Sequence, residues 1–144
     1  MSDFSPSFIV AVAEQLSFVS AFLGGISAAM LITVVVFTSE KKSISWIVSS
    51  AALAACSLLI AVVASWRIII VLHPESPIEA GDRVVNILYP IMLLGYGVGF
   101  LSLLVSIGLS GWLRSKKAGM LTSSIAVVSV LFFVLASPFG LYTP

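Results

Sequence analysis

Charge is the scarcest property of this sequence. Of its 144 residues, seven are Lys or Arg and six are Asp or Glu, 9% in all, against about a quarter in an average soluble domain. So few charges leave too little hydrated surface for a dissolved globular chain. The basic residues are scattered at the ends of apolar runs and the net charge is +1, which excludes the basic tract that nucleic-acid binding needs. The single cysteine, Cys56, excludes an intrachain disulfide and a thiolate metal cluster within one subunit. No Lys or Arg precedes Lys41, so the first apolar stretch lacks the positive n-region of a secretory signal and is expected to stay as a true span. An Asn-X-Ser/Thr sequon is also missing, and together with the compact layout this fits a bacterial inner membrane.

What fills the chain instead is hydrocarbon. Hydrophobic residues make up 60% and the mean hydropathy is +1.20. About 20 apolar residues cross a bilayer core as a helix, and four such stretches consume most of the length. The fold class is therefore all-α: a four-transmembrane-helix bundle in one membrane domain over residues 1–144, with spans at about 16–37, 46–66, 87–113 and 120–137. Ser5-Pro6 supplies N-cap chemistry with proline at the first helical position, so the first helix is expected to begin before its span. Trp46 and Trp66 flank the second span at the interfaces that indole prefers, and that helix can run on through Ile70 toward His73. Pro74 stops it, and Ser76-Pro77-Ile78-Glu79 reads as a capping box that restarts a helix. Pro90 lies inside the third span, where it removes a backbone hydrogen bond and is expected to kink the helix. Pro138 and Gly140 close the fourth.

Orientation follows from the basic residues. Lys41, Lys42, Arg114, Lys116 and Lys117 fall in the loops after spans one and three, and Arg67 and Arg83 on the other side. Five against two places the first set in the cytoplasm, so both termini are expected outside it, an N-out/C-out topology. Asp3, Glu14, Glu75, Glu79 and Asp82 share the outer side, and Glu40 alone is inside.

Small residues recur at helical spacing. In lipid, helices associate through close backbone approach, which small residues at every fourth position permit. Span one carries Ser17, Ala21, Gly25, Ala29 and Thr33 in one row, with Ser20, Gly24 and Ala28 beside it; span three carries Gly95, Gly99, Ser102, Ser106 and Ser110. Gly24, Gly25, Gly95, Gly99, Ser102 and Ser106 are thus the expected packing residues, within one subunit or between copies.

Ionisable groups near a span are functional candidates because charge is costly in hydrocarbon. Glu14 precedes the first span by about one turn; copies of it around an axis would ring a pore mouth with carboxylates, and a lone copy is an interfacial acid. Arg67 either snorkels toward headgroups or pairs with Glu14 or Glu75. His73, with Glu75, Glu79 and Asp82, has the residue types of a metal or proton site, although a histidine before proline is ordinarily a loop residue. Gly95-Tyr96-Gly97-Val98-Gly99 shares glycine and tyrosine with potassium filters, but it lies inside a full-length span with no separate pore helix. The serines of the spans have no histidine or oriented acid beside them, so neither enzymatic activity nor a cofactor is expected.

Four spans, a small-residue first helix with a Glu near one end and a glycine-bearing third helix ending in Trp112 together resemble the Orai calcium channels in outline. The resemblance is architectural and includes no motif. Orai proteins hold both termini in the cytoplasm and carry a basic stretch before the first span, so no residue role carries over. Two functions are expected: a channel-like homo-oligomer with cation preference, or an accessory or structural subunit of a larger membrane complex. Lipids are partners in both.

Overall fold

The computed structural model describes residues 5–37, 42–73 and 81–136. They form four α-helices: α1 Pro6–Phe37, α2 Lys42–Val71, α3 Gly81–Arg114 and α4 Lys116–Ala136. All four are long and apolar enough to cross a membrane, and the chain is a multi-pass membrane protein.

Local chemistry explains where the helices begin and end. The Ser5 hydroxyl accepts from the Phe8 N–H at 3.3 Å and its carbonyl from Phe8 and Ile9 at 3.0 and 3.2 Å, which satisfies donors that the first turn would otherwise leave orphaned. Pro6 stands at the first helical position, where its missing N–H costs nothing. α1 therefore starts ten residues before the expected span at Leu16. α2 outlasts Trp66 through Ile70 and ends at Val71. The proposed capping box at Ser76–Glu79 lies outside the described residues. α3 continues through Pro90, whose side chain faces outward. Between α3 and α4 a single residue, Ser115, leaves the helix; its hydroxyl accepts from Ala118 N–H at 3.1 Å and so caps α4. Lys116 and Lys117 then occupy the first turn of α4, the wrong end for cations beside a helix dipole. Their place at a membrane margin accounts for them better than helix stability does.

Among the described residues the four helices do not pack around a common centre. α2 packs on α1 and α3, α4 touches only α3 among the described residues, and α1 reaches α3 slightly. The arrangement is an open row in chain order. Lipid supplies no hydrophobic force to close it, because a leucine side chain is as well solvated by acyl chains as by another helix. Only helices whose faces admit close approach stay together. A small core joins the first three helices at one end through Ala13, Ala64, Ile68 and Met92. α4 buries little of its length, with one face half-buried on α3 and the rest exposed.

Trp46 and Trp66 are both exposed, at 71% and 62%. Twenty residues of helix separate them, about 30 Å at 1.5 Å per residue, which equals the hydrocarbon thickness of a bilayer. That spacing matches the interfacial positions expected of the two indoles from the sequence.

Candidate functional site

The α2–α3 seam is the most extensive helix contact. A Cβ on Gly95 would sit 3.0 Å from the Ser57 carbonyl oxygen and 3.2 Å from the Ala61 nitrogen, both backbone atoms that cannot step aside. A Cβ on Gly99 would come within 2.6 Å of Leu58 Cγ and 3.1 Å of its nitrogen. Farther along, Ser50 Oγ and Ser106 Oγ lie 2.7 Å apart. Each hydroxyl also reaches a carbonyl of its own helix, Ile47 and Ser102 respectively, at 3.1 Å. One hydroxyl donates across the seam and the other donates to its own backbone, so the two protons serve the pair without a charge. Ser102 thus enters through its carbonyl and Ser106 through its hydroxyl.

The α3–α4 corner is built largely from residues that the small-residue rows of the sequence do not include. A Cβ on Gly111 would collide with the Thr122 hydroxyl and come within 2.8 Å of the Ala118 carbonyl oxygen. Thr122 Oγ1 donates toward the Gly108 carbonyl at 3.1 Å, and Trp112 Nε1 donates to Ser123 Oγ at 3.0 Å while its ring lies against Gly119. Tyr96, Phe100 and Phe133 continue the contact as an aromatic cluster, with Phe100 and Phe133 centroids 4.7 Å apart. The signal was available: Gly108, Gly111 and Gly119 bracket a pair of helices joined by one residue, where backbones have no room to diverge.

α1 divides its small residues between two faces. Ala13, Ser20, Gly24 and Ser27 are buried, and a Cβ on Gly24 would meet Leu58 at 3.6 Å. The Ser20 and Ser27 hydroxyls are sealed in without a hydrogen-bond partner. The row Ala21, Gly25, Ala29 and Thr33 is exposed, and nothing lies within 4 Å of a Cβ placed on Gly25. Gly24 and Gly25, adjacent in sequence and expected together in helix packing, therefore part company: Gly24 faces α2, and Gly25 has no neighbour on another helix among the described residues. Thr33 Oγ1 donates to the Ala29 carbonyl at 2.8 Å. Glu14 is exposed and stands seven residues before Ala21, hence on the same stripe of the helix.

The remaining candidates scatter. Arg67 is exposed and lines an apolar groove between α2 and α3; it forms no ion pair with Glu14. His73 is exposed at the end of α2. Glu75, Glu79 and the side chain of Asp82 lie outside the described residues, so the acidic cluster around His73 has no geometry to report. Gly95-Tyr96-Gly97-Val98-Gly99 is continuous α-helix, which turns its carbonyls along the helix axis instead of into a pore.

No protein-family model matches this chain, and no curated protein or solved structure does either.

Proposed function

We propose that this membrane protein is non-catalytic and self-assembles through the open side of α1 into a channel-like homo-oligomer with cation preference. The observation that carries the reading is the bare row Ala21, Gly25 and Ala29 with Glu14 on the same stripe. Small residues on a helix surface sacrifice lipid contact and are useful where another helix comes close. Copies packed there around an axis set Glu14 carboxylates in a ring, whose potential concentrates cations at the entrance. The basic bias of the loops supports an orientation with that ring and both termini outside the cytoplasm, in a cell membrane of bacterial inner-membrane type.

The test is reconstitution into planar bilayers at low salt, where surface charge is least screened. The expected result is cation-selective conductance in the wild type and reduced cation preference in Glu14→Gln. Absence of conductance from demonstrably assembled protein overturns the channel reading. A reporter fused at Pro144 is expected to signal export, and one inserted beside Lys117 the cytoplasm; the reverse pattern overturns the orientation.

The accessory-subunit reading draws on α4, which offers a long apolar surface with one neighbour. Native mass in mild detergent separates the two: a homogeneous self-assembly supports the channel, and a single copy held to a fixed partner supports the subunit.

A further inference from the structure

A groove of about 490 Å³ opens between α2 and α3, toward the Trp66 end of α2. Leu59, Ile60 and Val63 form one wall and Val84, Ile87 and Ile91 the other, with Arg67 the outermost lining residue of α2. Every other side chain that lines it is apolar. From Leu59 to Arg67 the groove descends eight residues, about 12 Å of helix, close to half of the roughly 30 Å hydrocarbon core. It has the depth of one leaflet. A cleft of this kind within hydrocarbon admits acyl chain, since water there would find no polar partner.

Arg67 gives the groove a polar end. Arg67 is exposed and follows Trp66, the residue expected from the sequence at an interface, and Glu14, the one acid whose side chain is described, does not pair with it. A guanidinium holds a phosphodiester through two parallel hydrogen bonds, which a compact ammonium does not. Arg83, exposed and one residue before the lining Val84, adds a second cation at that end. Among the described side chains at that end the two guanidiniums outnumber the single acid, Glu14, and they favour a headgroup of net negative charge over a zwitterionic one, whose own ammonium they repel.

We infer that this groove is a binding site for an anionic phospholipid of the adjoining leaflet, with an acyl chain along Leu59–Val63 and Val84–Ile91 and the phosphate on Arg67. The site takes no residue from α1 and lies within one copy of the chain, so it stands whether or not the protein assembles as proposed above.

The test is lipid retention. The full chain is reconstituted in nanodiscs of equal phosphatidylglycerol and phosphatidylcholine, transferred to mild detergent, and the lipid that stays bound is counted by native mass spectrometry. The expected result is a several-fold enrichment of phosphatidylglycerol in the wild type, reduced to the bulk ratio in Arg67→Gln and partly kept in Arg67→Lys. Val63→Trp, a change at an exposed position that fills the groove from outside, is expected to lower retention of both lipids with the melting temperature unchanged. Lys117→Gln, a cation lost at the opposite margin, leaves the enrichment intact. Equal retention of the two lipids by the wild type, or undiminished enrichment in Arg67→Gln, overturns the site. Full retention in a folded Val63→Trp variant overturns the groove as the place where the chain lies.

Discussion

The α2–α3 seam and the outer side of α1 use the same residue types and meet opposite fates. Gly95 and Gly99 are pressed against the backbone and side chains of Ser57, Leu58 and Ala61, whereas Gly25, flanked by Ala21 and Ala29 at the same spacing, faces none of the described residues. The difference teaches that small residues at every fourth position announce a contact without naming the partner. In lipid the contact is made by whichever helix offers backbone at the right height, and α2 offers it to α3. α1 also meets α2, but through the neighbouring stripe of Ala13, Ser20, Gly24 and Ser27. Its second small-residue row is left over.

The largest effect is expected where the α2–α3 seam presses on backbone. Gly95→Leu drives a side chain into the Ser57 carbonyl and the Ala61 nitrogen, and destabilisation of roughly 3 kcal/mol is expected from overpacking against fixed backbone. Thermal unfolding in detergent measures it; an unchanged melting temperature would mean that the seam is loose and the comparison empty. Gly25→Leu with Ala29→Leu is expected to divide the readouts, leaving monomer stability within about 0.5 kcal/mol as for an ordinary surface change while abolishing self-assembly by native mass. Loss of both, or of neither, would erase the distinction between the two faces. The smallest effect belongs to the covered stripe of α1. Ser27→Ala removes a sealed hydroxyl that has no partner, and a gain of about 1 kcal/mol is expected from the desolvation it relieves. A loss of stability there would reveal a hydrogen bond that the α1–α2 contact makes in the membrane.

Much of the fold was legible from composition alone. The four apolar stretches became four helices, and the Ser5-Pro6 start and the run of α2 through Ile70 followed from capping chemistry and hydropathy that act within a few residues. The early start of α1 shows the limit of span counting: a helix ends where its backbone donors are satisfied, and a span ends where hydrocarbon does. The spacing of small residues was visible in the sequence, yet the pairing of Ser50 with Ser106 was not, because it depends on register between two helices at residues 56 apart in the chain. Gly111 and Thr122 escaped for a related reason, since their contact exists only once α3 and α4 turn on Ser115.

By itself the sequence determined that this chain lives in lipid, how many times its described helices can cross, and where charge gathers at the margins, because each of these depends on local hydropathy and on backbone hydrogen bonds closed within a single helix. Only the tertiary structure decided that the helices stand in an open row, that Gly24 is covered while Gly25 is bare, and that Arg67 heads an apolar groove of leaflet depth. Helix association in lipid turns on close contact between particular surfaces, a few ångströms at a time, and no single helix carries that distance in its own sequence.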